Sequence, residues 1–270
     1  MGAKTKIDWC DSTWNPATGC LHGCEYCYAR RIAERFRARQ IYDPECQCQR
    51  KLIERGMLKG TGKPLELTYP WEQKNKDGSI TNAAYPFGFE PTFHRYKLDE
   101  PQRWKKPRTI FVCSMADLFG DWVPDEWIEQ VFEACEAATQ HRYMFLTKNP
   151  KRYVALYRNG ILRVRDSFWY GSTITGANEP FFFSRVPDDN PHTFCSIEPI
   201  LEPVGTMQVM PDWVIVGAET SNRKGKVVPQ KEWIDEIAAE CKRRRKPLFM
   251  KDSLRELMGA DFRQELPWEV

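Results

Sequence analysis

Hydrophobic and polar positions change their period along the chain, and the changes mark out its elements. Thr109–Cys113, Tyr143–Leu146, Phe168–Ser172, Thr193–Ile197, Trp213–Val216 and Pro247–Met250 are short apolar runs bounded by polar residues, the pattern of buried strands. Between them the period lengthens to that of a helix. Ile128, Val131, Phe132 and Cys135 share one helical face after Pro124, a suitable helix starter, and Trp233, Ile234, Ile237 and Cys241 share another. Upstream, Asp8 to Thr18 reads as a first strand anchored by Trp9 and Trp14, and Ala29, Ile32, Ala33 and Phe36 recur at helical spacing behind it. About seven parallel strands in β-α rhythm predict an α/β fold, a partial or nearly closed (β/α) barrel, in one domain over residues 1–270. Residues 41–95 break the rhythm with Gly60-Thr61-Gly62-Lys63-Pro64, Asn75-Lys76-Asp77-Gly78 and Tyr85-Pro86-Phe87-Gly88. They read as an irregular insertion after the first β-α unit, long enough that it could cover an active site.

Composition narrows the class. A chain of 270 residues with 41% hydrophobic residues can bury a substantial core. No stretch approaches the roughly 18 consecutive apolar residues of a membrane span, and Met1 to Asp11 is polar rather than a secretory signal. The expectation is a cytoplasmic protein without a membrane partner. Ten cysteines in a reducing compartment point away from disulfides and toward metal binding for those that cluster. The net charge of +3 says little, but two basic runs stand out: Arg30, Arg31, Arg35, Arg37 and Arg39, and Lys242-Arg243-Arg244-Arg245-Lys246. Either could contact nucleic-acid phosphates; the plainer reading is a solvated helix face and a helix C-terminus that favours cations.

The densest chemistry is Cys20-Leu21-His22-Gly23-Cys24-Glu25-Tyr26-Cys27, three cysteines at C-x3-C-x2-C spacing. Three thiolates on one short loop are one fewer than the irons of a 4Fe–4S cluster, so the fourth iron would be left open to a small molecule. Zinc is the competing reading, with Cys20, Cys24 and Cys27 joined by His22, Cys10 or the Cys46/Cys48 pair. Zinc ligands usually come as two separated pairs, whereas these three crowd one loop, which favours the cluster.

In a barrel of parallel strands, chemistry gathers at the C-terminal strand ends. Here those ends carry Ser114-Met115-Ala116-Asp117, Thr147-Lys148, Ser172-Thr173, Glu198-Pro199, Gly217-Ala218-Glu219 and Lys251-Asp252. A solvated loop also holds charges; the argument rests on their recurrence at one level of the fold.

The cysteine spacing, with Tyr26 just before the third cysteine, resembles the signature of the radical S-adenosylmethionine (SAM) enzymes. Thr13-Trp14-Asn15-Pro16-Ala17-Thr18-Gly19, Tyr28-Ala29-Arg30 and several strand ends resemble the DUF5131 family (the phage Gp37/Gp68 group), which is radical-SAM-like and similar to spore photoproduct lyase. The likeness covers most of the chain apart from roughly residues 41–90. It implies a barrel of the radical SAM type whose open iron chelates the amino and carboxylate groups of SAM. One electron, from a donor such as flavodoxin or ferredoxin, then yields methionine and a 5′-deoxyadenosyl radical that takes hydrogen from a substrate, with nucleic acid or a nucleotide as the candidate. By the same resemblance Cys20, Cys24 and Cys27 hold the cluster, Lys148 and Ser172 meet the carboxylate and polar groups of SAM, and Tyr26 lies near adenine. Glu198 and Glu219 would face ribose hydroxyls, the ammonium or the substrate, and Ser114, Asp117 and Lys251 complete the cofactor-binding set. Cys113 is the candidate to return a hydrogen atom to a product radical; the plain reading is a buried apolar thiol. Two other functions stay open: a nucleic-acid-binding metalloprotein with zinc or a non-catalytic cluster, and an electron-transfer protein, which would not need the polar strand ends.

Overall fold

A computed structural model describes residues 5–38, 41–42, 64–177, 192–207 and 209–269. In chain order its main elements are β1 (Ser12–Trp14), α1 (Tyr28–Arg35), β2 (Thr109–Val112), α2 (Asp125–Glu136), β3 (Arg142–Thr147), α3 (Lys151–Arg158), β4 (Phe168–Ile174), β5 (His192–Ile197), β6 (Trp213–Val216), α4 (Lys231–Arg243) and β7 (Leu248–Met250). The chain packs as two compact units: Met1–Thr13 with Lys106–Val112 and Thr139–Val270, and Trp14–Lys105 with Cys113–Ala138.

The first unit is built on a seven-stranded sheet in which β1 to β7 lie side by side in sequence order. Neighbours from β2 to β7 pair in parallel, and the sheet curls into a half-barrel. Strand side chains alternate between two faces, and each face has its own core. One holds Phe111, Met144, Trp169, Phe194, Trp213, Ile215 and Phe249, packed with Trp9 from the segment before β1. The other holds Cys195, Ile197, Val214, Val216, Leu248 and Met250, packed against Ile234, Ile237 and Cys241 of α4. Trp213 is fully buried, and its indole N–H donates to the Glu265 carbonyl at 2.9 Å, so this core tryptophan leaves no polar group unpaired.

The second unit carries α1, α2 and a small sheet in which Thr92–His94 pairs with both Ala17–Thr18 and Leu65–Leu67. A hairpin of Glu72–Lys74 and Ile80–Asn82 pairs with Ile41–Tyr42. The α2 helix begins directly after Pro124 with Asp125 and Glu126 in its first turn, where carboxylates favour the helix dipole. Its Trp127 stacks on Phe93 with ring centroids 4.9 Å apart.

The six strands expected from Thr109 onward appear within a few residues of their expected limits. The lead-in differs. Asp8 to Thr18 is not one strand: β1 stops at Trp14, and Ala17–Thr18 joins the small sheet. Pro16 has no N–H to offer a ladder, and Asn15 turns its side-chain oxygen to the Met115 N–H at 2.9 Å. The apolar face expected for α1 also splits. Ala29 and Ala33 pack with Phe89 and Met115, while Ile32 and Phe36 remain 38% and 55% exposed. Residues 64–95, read as irregular, contain four of the short strands just described; Cys46 and Cys48 lie outside the described residues. Among the described residues no helix is long and apolar enough to cross a membrane.

Candidate metal centre and strand-end residues

The cysteine loop belongs to the second unit. It is held at its base by backbone bonds from Gly19 N–H to the Met115 carbonyl at 2.9 Å and from Cys20 N–H to the Phe89 carbonyl at 3.3 Å. Gly19 has a φ of 86°, and a Cβ there would fall 2.2 Å from the Glu90 carbonyl oxygen, so the entry to the loop demands glycine on two counts. The loop ends on α1. Cys27 is the N-cap of that helix, and its Sγ accepts the Arg30 N–H at 3.3 Å. A helix N-terminus carries partial positive charge and favours a thiolate. The Arg30 guanidinium reaches back to the Cys20 carbonyl at 3.3 Å and lies over the Phe89 ring at 5.0 Å.

Cys20, Cys24 and Cys27 are all partly buried. Burial pushes the Cys20 thiol up to about 12; the His22 backbone N–H opposes this, and the Asp117 carboxylate and the other two sulfurs add to it. Such a group gives up its proton readily only when a cation arrives to balance the charge. Among the described residues no three His, Cys, Asp or Glu side chains stand close enough to share a single metal ion. Three thiols on one loop are a donor set that would fit a 4Fe–4S cluster, in which each thiolate binds a different iron.

The strand-end residues of the same unit surround this loop. After β2, Cys113 takes a φ of 58°, and its N–H donates to the Trp14 carbonyl at 2.7 Å. Burial pushes its thiol up to about 12, a backbone bond from Ala17 opposing. Ser114 Oγ donates to Asn15 Oδ1 at 3.2 Å, and its carbonyl accepts the Tyr28 hydroxyl at 2.7 Å. Asp117, 5% exposed, accepts the Phe119 N–H at 3.0 Å with one oxygen and faces His22 Nε2 at 2.7 Å with the other. Ser114, Asp117 and the cysteine loop are therefore brought together. Tyr26 is part of that loop and partly buried.

Lys148, Ser172, Glu198, Glu219 and Lys251 belong to the first unit. Lys251 pairs with Glu198 at 2.8 Å and stands 3.8 Å from Asp8, over Gly217, where a Cβ would lie 3.0 Å from the lysine chain. Burial opposes its charge, but Glu198 and Asp8 outweigh that and raise its pKa. Asp8 was not anticipated, since nothing in its sequence neighbourhood points toward β7. Glu219, 3% exposed, is engaged by Arg223 at 2.8 and 3.0 Å and by the Ser221 hydroxyl. Ser172 is 2% exposed and shares a strand face with Phe168, Tyr170 and Ile174. That is the face packed against the helices, through Tyr153 on Tyr170 and Ile174 beside Ile234, whereas Trp169 lies on the other. Lys148 follows β3 and is partly buried.

A cavity of about 560 Å³ opens at the other, N-terminal end of the strands, lined by Asp11, Arg108, Arg142, Asp166 and Trp268 among others. In the basic run at the end of α4, Arg243 and Arg244 share the Glu240 carboxylate and Lys246 pairs with Asp212, so two carboxylates offset part of the charge of five cations. Arg30, Arg31 and Arg35 of α1 are exposed, and Arg39 lies outside the described residues.

A family model described as a protein of unknown function (DUF5131) matches residues 4–255. No curated protein and no solved structure matches the chain.

Proposed function

We propose that this chain, which belongs to the DUF5131 family, is a radical SAM enzyme whose cluster is held by Cys20, Cys24 and Cys27. The observation that carries the reading is the end of the loop: Cys27 both closes the three-cysteine motif and caps α1, its sulfur already accepting the Arg30 N–H. Hydrogen bonds to cluster sulfurs and a positive helix terminus both stabilise added negative charge. When bound, a 4Fe–4S cluster with one open iron supplies the electron that splits SAM into methionine and a 5′-deoxyadenosyl radical.

The chain's own residues set the conditions for that chemistry. Gly19 and the bonds to Met115 and Phe89 fix where the loop begins, and Arg30 ties its first cysteine to α1. Burial keeps Cys113 as S–H, the form that can give a hydrogen atom to a carbon radical. In the first unit Lys251, already paired with Glu198, is better suited to orient that carboxylate than to receive another. The substrate class proposed is a nucleotide or nucleic acid, supported by the resemblance and by the exposed arginines of α1. The electron comes from a separate reduced carrier of the flavodoxin or ferredoxin kind.

Anaerobic reconstitution with iron and sulfide, followed by electron paramagnetic resonance of the reduced protein with and without SAM, tests the reading. The expected result is about four irons and four sulfides per chain, a signal that shifts on adding SAM, and 5′-deoxyadenosine under reducing conditions. One zinc without sulfide, or a cluster indifferent to SAM, overturns it in favour of a binding or electron-transfer role.

A further inference from the structure

His22 lies inside the motif, between Cys20 and Cys24, and the structure holds its imidazole firmly. Nε2 meets Asp117 Oδ2 at 2.7 Å, and the ring stands edge-on to Trp122 with centroids 4.9 Å apart. Asp117 is itself 5% exposed and anchored by the Phe119 N–H. A carboxylate can only accept, so the partner assigns the ring proton to Nε2. That leaves the lone pair on Nδ1, which makes no hydrogen bond among the described residues. An imidazole whose one nitrogen donates to a buried carboxylate, with the lone pair of its other nitrogen left to accept, is the arrangement found for metal-ligating histidines. The backbone of the same residue already serves the site, since its N–H hydrogen-bonds the Cys20 sulfur.

We infer that His22, through Nδ1, is the fourth ligand of the cluster whenever SAM is absent, with Asp117 as its positioning residue. The inference rests on the cysteine loop holding an iron–sulfur cluster, as proposed above. A free iron corner would otherwise take water or lose its iron, and a neutral nitrogen ligand on the same loop closes it. SAM binding would exchange the iron–nitrogen bond to His22 for bonds to the amino and carboxylate groups of SAM, a ligand exchange with no change of oxidation state. His22 thereby separates the resting state from the SAM-loaded one.

The test is pulsed electron paramagnetic resonance on the reduced, reconstituted protein carrying 15N-labelled histidine. The expected result is a strong histidine nitrogen coupling without SAM, lost in His22→Ala. Asp117→Asn, which keeps the side-chain size but lets an amide N–H donate to Nε2 and so favours the other tautomer, is expected to diminish it as well. No histidine coupling in the wild-type protein, or the same coupling in His22→Ala, overturns the inference. SAM labelled with 17O in its carboxylate keeps the two proposals apart. Coupling to labelled SAM without any histidine coupling removes His22 and leaves the radical reading intact. A His22 coupling that SAM does not displace retains the ligand and overturns the radical reading.

Discussion

Replacing Gly19 with alanine tests how tightly the cysteine loop is built. Gly19 has a φ of 86°, and its missing Cβ would lie 2.2 Å from the Glu90 carbonyl oxygen and 2.4 Å from the carbonyl carbon. Those atoms are backbone, and the chain beside them is pinned by the Cys20–Phe89 and Gly19–Met115 bonds, so the clash is not relieved by turning a side chain. Gly23 is the internal control, with a similar φ of 74° and nothing within 4 Å of its would-be Cβ. Left-handed alanine costs about 1–2 kcal/mol, and stiffening the unfolded chain returns about 0.4–1 kcal/mol. Gly23→Ala is therefore expected to lose about 1 kcal/mol. Gly19→Ala carries the same cost and must in addition break or stretch a buried backbone bond, worth about 1–3 kcal/mol, for a total near 3 kcal/mol. Guanidinium denaturation followed by circular dichroism gives the difference, read as a shift in midpoint at constant slope. Two variants within about 0.5 kcal/mol of each other, the scatter of ordinary surface substitutions, would refute the reasoning.

Three further outcomes are expected. His94 is fully buried between Thr18 Oγ1 at 2.9 Å and the Tyr96 hydroxyl at 3.2 Å, and burial, with Lys97, pushes its pKa down to about 3. The folded value lies below the unfolded one, so this stability is present above about pH 6.5 and is lost as pH falls toward 3. Unfolding free energy in that window should fall by about 1.4 kcal/mol per pH unit from this one proton, and His94→Gln should flatten the slope in acid denaturation curves. Lys251 has the opposite sign: pairing with Glu198 raises its folded pKa, so its contribution is complete below its unfolded value and disappears as pH rises through the raised one. Glu198→Gln should therefore destabilise by about 1–3 kcal/mol at pH 8, a little below the cost of breaking a fully buried pair, and the gap to wild type should close in strong alkali. Trp213→Ala, at a fully buried position contacting Trp9, Trp169 and Phe249, should cost about 3–5 kcal/mol in the same denaturation assay.

The half-barrel was legible because its strands are short, apolar on both faces and separated by helices whose period is plain. Val214 and Val216 serve one core and Trp213 and Ile215 the other, so nearly every strand position had to be apolar. The lead-in was not legible in the same way. Trp14 and Thr18 look like one strand, and only the long-range pairing of Ala17–Thr18 with Thr92–His94 separates them. The cysteine loop announced itself through spacing, yet the Asp117 that holds His22 lies 95 residues away. At Ser172 the sequence indicated the strand end but not the face. A shift of one residue moves a side chain to the other side of a sheet, and here Thr173 rather than Ser172 shares the face of Trp169. The helix α3 escaped because its buried residues, Tyr153 and Leu156, give too few apolar positions to set a period.

The two units are interleaved along the chain, which leaves one for the other at residues 13–14, 105–106, 112–113 and 138–139. No single cut separates the two units cleanly: a cut after Ala138 keeps the second unit whole but leaves Met1–Thr13 and Lys106–Val112 of the first attached to it. During synthesis the order is fixed as well: all residues of the unit that carries Cys20, Cys24 and Cys27 have been made once Ala138 is joined, before strands β3 to β7 exist. Chains fold from the N-terminal side as they emerge. The loop that carries the three cysteines can therefore fold on a nascent chain before five of the seven strands of the half-barrel have been translated.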